Sequence, residues 1–203
     1  MKITDLIQLN EMPRLIGDVD FYFADPVKNH QKMVQLNKTA QFLFQHKKLK
    51  VFKSGAFIYA RDDVNGLMPY VIQTEEKFIS AIGETAIIQR KLWRSYNNLS
   101  VAGLPAKVFF EVLLKQFSVI ATDYQQTEDG RRFWELRISE ALDKGLHVYF
   151  LKATGPREMR KISQSDLEID PNGKIWGYGE KYQAHWVLIS DHELTPKDDV
   201  QTS

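Results

Sequence analysis

"SVAGLPAKVFFEVLL", Ser100–Leu114, decides the fold. It follows an alternating run, Thr85–Arg94, and leads into an apolar helix, so the turn at Gly103 joins a strand to a helix that must carry the chain back across a sheet. Pro105 suits the first helical turn, where a missing N–H costs little. Val108, Phe109, Val112, Leu113 and Phe117 make the helix, expected from about Pro105 to Phe117, strongly apolar. "SVIAT", Ser118–Thr122, is then too short for a helix and does not alternate, the pattern of a central strand covered on both faces. Strands 85–94 and 118–122 are therefore expected as parallel neighbours joined by a crossover helix.

Upstream, "DVDFYFA", Asp18–Ala24, has the two-residue period of a strand. Met33, Leu36, Ala40, Leu43 and Phe44 recur at steps of three and four, predicting a helix over 29–47 whose last turn would be served by Lys47, Lys48 and Lys50. Three antiparallel strands should follow: "VFKSGAFIYAR" ending at Arg61, "LMPYVIQT" from Leu67, and "TAIIQRKLWR", with "DDVNG", Asp62–Gly66, as a turn. Pro69 predicts a late start or a bulge in the second of these, because proline cannot donate to the ladder. Downstream, a helix from about Asp129 to Lys144 stops at Gly145, and "LHVYFLKA" and "AHWVLIS" read as strands. The expected fold is α+β: a mixed sheet with an antiparallel N-terminal part, a parallel central strand pair and flanking helices. It forms one domain over 1–194, with an inserted loop at 155–183 and a polar tail at 195–203.

The chain has 203 residues, of which 43% are hydrophobic, enough to bury a core. Its 27 basic and 26 acidic residues leave a net charge of +1, so no global field points to nucleic acid or to an anionic membrane. It has no cysteine, which removes disulfides, thiolate metal sites and cysteine nucleophiles. His30, His46, His147, His185 and His192 lack metal-ligand spacing, and no metal is expected. A soluble cytoplasmic protein is the expectation, since no run suits a signal peptide or a membrane span.

Ligands of open sheets favour the crevice beyond the carboxyl ends of parallel strands, and Gly103 lies at such an end. Glycine permits close backbone approach, while Leu104, Ala106 and Lys107 offer amides at the positive end of a helix, and Lys107 adds a point charge. A plain bend between strand and helix is the competing reading. "TDYQQTEDGRRFW", Thr122–Trp134, follows the next parallel strand: Asp123 and Tyr124 at the strand end, Thr127 as a helix cap, and Arg131 and Arg132 opposing the helix dipole. A bound anion would explain these arginines, and so would ion pairs with Glu128, Asp129 or Glu135.

This order of elements resembles that of the GNAT family, the acyl-coenzyme A dependent N-acyltransferases, over Asp18–Ser190. In that family a Gln/Arg-x-x-Gly-x-Gly/Ala turn after the fourth strand holds the cofactor pyrophosphate on backbone amides. The matching residues here are "SVAGLP": Gly103 matches, Ser100 stands for Gln/Arg, and Pro105 stands for Gly/Ala. The resemblance implies binding of acetyl-coenzyme A or another acyl-coenzyme A by Ser100, Val101, Gly103, Leu104, Ala106, Lys107, Thr127 and Arg131. It implies transfer of the acyl group to an amine on a small molecule or protein, with Glu84 as base and Tyr124, near Asp123, as acid. The competing expectation is a protein of this scaffold without the reaction, of a phage-type or accessory kind. Such a protein would engage a macromolecule through the crevice or through the 155–183 loop, which carries Arg157, Arg160, Lys161, Trp176, Tyr178 and Tyr182.

Overall fold

A computed structural model describes residues 23–95, 98–122, 128–152, 158–168 and 185–197. It is α+β, with nine described strands in a mixed sheet that has one parallel pair. The chain groups into two compact units: Met1–Glu75 with Gln89–Val108, and Glu76–Ile88 with Phe109–Ser203.

The first unit opens with α1, Pro26–Asn37. Asp25 caps it by accepting from the amides of Val27 and Lys28 at 2.9 and 3.2 Å, and Pro26 supplies a favourable first residue. Of the strand expected over Asp18–Ala24, residues 18–22 lie outside the description, and Phe23 and Ala24 are helical. Four strands follow: β1 Gln41–His46, β2 Leu49–Ser54, β3 Phe57–Asp62 and β4 Leu67–Ile79. They pair in sequence, and β4 pairs with β5, Glu84–Arg94.

The helix predicted over 29–47 thus ends at Asn37. Leu43 and Phe44 belong to β1, which turns back on β2 through Lys47, at φ 53, and Lys48. The ladder and the edge-on contact of Phe42 with Phe52, 5.7 Å between ring centres, outweigh helical spacing that tertiary pairing can override. The three lysines serve no helix end: Lys47 donates to Leu99 O at 3.2 Å, and Lys50 pairs with Asp63 at 2.7 Å. The run read as one strand to Arg61 is two, broken at Gly55, whose φ is 54. Pro69 sits at the bulge expected for it. Between the pairs Ala60↔Tyr70 and Asp62↔Leu67, Arg61 alone faces Met68 and Pro69. Phe23, Met33, Leu36, Tyr59, Met68, Val71 and Trp93 form the core of this unit.

In the second unit β5 runs parallel to β6, Val119–Ala121, through Ile87↔Ile120 and Ile88↔Ala121, as the sequence predicts. The connecting helix α2 starts at Leu104. It runs through Leu104–Lys107, a π-helical stretch Val108–Leu113, and Leu114–Phe117. β6 is wholly buried. Helix α3, Glu128–Asp143, stops at Gly145, whose φ of 72 suits glycine after a helix. β7, His147–Lys152, and β9, His185–Ser190, match their expected runs. The strand order continues β5-β6-β9-β7, ending at β8, Met159–Lys161. One core gathers Ile79, Ile82, Ala86, Ile88, Tyr149, Trp186 and Leu188. Phe109 of α2 meets Trp134 of α3 edge-on at 5.4 Å, a contact worth about 1 kcal/mol beyond area burial.

The 155–183 connection is not all loop, since β8 and α4, Gln164–Glu168, fall within it. Asp166 accepts from the Ser163 hydroxyl at 2.6 Å and amide at 2.8 Å and pairs with Arg160 at 2.6 Å. The Ser163 bonds lead in holding its carboxyl down at about 2, against the opposing effect of burial and with help from Arg160. Lys161 pairs with Glu193 at 3.3 Å. Arg157, Trp176, Tyr178 and Tyr182 lie outside the described residues. The polar tail read from Thr195 is pinned at its start, where Lys197 N donates to Ala81 O at 2.9 Å.

Candidate functional site

The turn after β5 is held by its own groups. Asn98 accepts the Ser100 amide on its side chain at 3.0 Å and the Val101 amide on its carbonyl at 3.0 Å. The Ala102 amide donates to Leu99 O and the Lys107 amide to Gly103 O. His46 Nε2 stands 3.0 Å from Ala102 O. Gly103 has a φ of 79, and a Cβ placed on it would meet only His46 Cε1, at 3.9 Å. Backbone conformation, and not a close approach of packed atoms, is therefore what calls for glycine here.

Three of the six cofactor positions predicted in this turn, Ser100, Val101 and Lys107, thus have amides already used within it. Pro105 has none. Among the described residues of the turn, Gly103, Leu104 and Ala106 are the amides left to meet an anion. The Lys107 ammonium lies 4.6 Å from the centre of the Phe44 ring, which fixes its stem along an apolar face. Ser100 lines a cavity in the first unit.

Glu84 is the first residue of β5 and belongs to the second unit. Its Oε1 stands 3.0 Å from His192 Nε2. His192 Nδ1 lies 2.8 Å from Asp191 Oδ1 and 3.2 Å from Ser190 Oγ. Hydrogen bonding to Asp191 and then to Glu84 raises the His192 pKa above its ordinary value, against the opposing effect of burial, and the two carboxylate charges add to the rise. The result is a carboxylate–imidazole–carboxylate chain able to take up and pass a proton. Sequence reasoning missed His192 as Glu84's partner. The two are 108 positions apart, and a search for metal-ligand spacing tests a different relation.

Asp123, Tyr124 and Thr127 lie outside the described residues, and Arg131 is placed only by its backbone on α3. Among the described residues, no group of three or more His, Asp or Glu could hold a metal ion, and no helix is long and apolar enough to cross a membrane.

No family model matches this chain, and no curated protein matches it.

Proposed function

We propose that this chain is a GNAT-type N-acyltransferase, moving an acyl group from acyl-coenzyme A to an amine. The observation that carries the reading is the parallel pair β5 and β6 joined by α2, within the strand order β5-β6-β9-β7. A left-handed glycine stands where α2 begins. The amides of Gly103, Leu104 and Ala106 hold the pyrophosphate, aided by the positive pole of the helix. The donor supplies an activated thioester. Glu84 opens β5 and the turn follows its other end, so water takes the proton as the amine nitrogen bonds to the acyl carbon, and Tyr124 protonates the departing thiolate. The acceptor is a small-molecule or protein amine, and the proposal includes a cytoplasmic location.

A second reading, a binding protein of the same scaffold without the reaction, is favoured by the amides already spent in the turn and by Pro105. Its partner would be a protein engaged through 155–183.

Thermal melting with millimolar acetyl-coenzyme A tests both. Ligand at about a hundred times its dissociation constant stabilises by about 2.7 kcal/mol. A shift that Gly103→Trp abolishes supports the turn as the site; an unmoved melting curve refutes the cofactor. Because the chain has no cysteine, thiol release in the presence of amines reads coenzyme A alone. A shift without thiol release selects the binding protein.

A further inference from the structure

The net charge of +1 conceals a segregation. Residues 26–61 hold eight of the chain's 27 basic residues and none of its 26 acidic ones, so the rest of the sequence stands at −7. That run folds as α1 and the strands β1, β2 and β3 of the first unit, up to Arg61. A local excess of one sign attracts polyanions even where the whole chain is near neutral.

α1 ends at Asn37, so no helix end accounts for Lys47, Lys48 and Lys50. They stand exposed on the β1–β2 hairpin. Lys47 keeps its charge while donating to Leu99 O. Lys48, its side chain 59% exposed, is 4.0 Å from Asp62, and Lys50, 47% exposed, shares Asp63 with Arg61. Four cations thus meet two carboxylates, and the excess lies at the surface. At the other end of the hairpin Lys38 is exposed and Lys53 stands opposite Gln41.

Aromatic rings cross one face of the same strands. Phe42, Phe52 and Tyr59 are direct partners on β1, β2 and β3. Phe42 meets Phe52 edge-on, Phe52 stacks on Tyr59 with ring centres 5.6 Å apart, and the Arg61 guanidinium stands 4.6 Å from the centre of Phe52. Tyr59 is buried, Phe52 half-buried and Phe42 53% exposed, so the ladder ends in an open ring at the edge of the sheet. Lys50 and Arg61 pair two residues along from this ladder, which puts them on its face. A ring open to a base, beside cations open to phosphates, is the pairing that single strands use; a duplex shows no free base face to such a ring.

We propose that this face of β1–β3 binds single-stranded nucleic acid, a base stacking on Phe42 and the neighbouring phosphates meeting Lys47, Lys48 and Lys50. The surface lies within the first unit and does not depend on the acyltransferase reading.

Fluorescence anisotropy of a labelled thymidine oligomer of about 12 nucleotides, titrated with the full chain in about 50 mM salt, tests it. The oligomer should bind, with affinity falling as about the second power of salt concentration if three phosphates are met. Lys47→Gln with Lys50→Gln, both at exposed side chains, should lower that exponent by about 1.4. Phe42→Ala should weaken binding about tenfold and Phe42→Tyr should restore it. An abasic oligomer of equal length should bind about tenfold more weakly, which reads the same stacking in the unaltered protein. No binding at about 100 μM chain, equal affinity for the abasic and thymidine oligomers, or an affinity untouched by Phe42→Ala would each overturn the proposal. So would displacement of the oligomer by phosphatidylserine vesicles at lower phosphate concentration than by unlabelled oligomer.

Discussion

Replacing Asn29 should loosen α1 from β4 by an amount that can be worked out bond by bond. Asn29 is 2% exposed. Its Nδ2 donates to Phe23 O at 2.9 Å and to Met68 O at 3.0 Å, and its Oδ1 accepts from Met68 N at 2.7 Å. Asn29→Ala deletes all three bonds and strands three backbone groups. At about 1 kcal/mol for each lost bond, the loss comes to about 3 kcal/mol. Exchange of the Met68 amide with solvent should quicken about a hundredfold by the same measure. Asn29→Asp separates the contributions. It keeps the acceptor for Met68 N but turns a second oxygen toward two carbonyls, so burial and repulsion raise its folded pKa above the unfolded value of about 3.9. The ionised form therefore destabilises the fold at neutral pH, and the penalty shrinks as pH falls through the folded pKa, because protonation restores one donor. Urea denaturation at two pH values, with hydrogen exchange at Met68, reads both effects. A loss under about 1 kcal/mol for the alanine variant, together with a pH-independent aspartate variant, would refute the reasoning.

Two other perturbations follow from the same geometry. Ser118 ends α2 at φ 60, its amide bonded to Leu114 O at 2.8 Å, so Ser118→Gly should relieve left-handed strain and add about 1 kcal/mol, raising Tm by about 2–4 °C in calorimetry. The His192 pKa is raised on folding by Asp191 and Glu84, so its stabilisation is full below the unfolded value of about 6.5 and is lost as pH rises through the folded value. At 42% side-chain exposure the effect should stay under about 1 kcal/mol. Unfolding measured between pH 6 and 9 should show a decline that His192→Gln flattens; equal slopes would dismiss the link to Glu84.

Local and nearest-neighbour features were legible in the residues. The parallel pair could be read because "SVIAT" is too short and too evenly apolar for anything but a covered strand, and it is reached from β5 by one apolar helix. The bulge at Pro69 followed from a missing donor. What failed was the choice between two periods over Ala40–Phe44. Leu43 and Phe44 continue the spacing of Met33 and Leu36, and only pairing with β2, which local spacing does not encode, makes them strand. The candidate site divides in the same way. Gly103 announced a turn, and its left-handed conformation bears that out. That the turn consumes its own amides depends on Asn98 reaching forward and Gly103 O reaching Lys107, details of angle and not of composition. The bond between Glu84 and His192 needed the fold itself to bring the two together.

β9 lies between β6 and β7, although it is made after both. Ile120 faces Ile189 on one flank and Val148 faces Ile189 on the other, and Thr122 bonds Val187 through both its amide and its hydroxyl, each at 3.0 Å. On a ribosome adding about 5–20 residues per second, β6 waits roughly 3–13 s for that neighbour. During the wait, two apolar strands present open flanks to whatever else is nearby. A chaperone that shields this half-built sheet should therefore raise yield, and a slowed translation that prolongs its exposure should lower it.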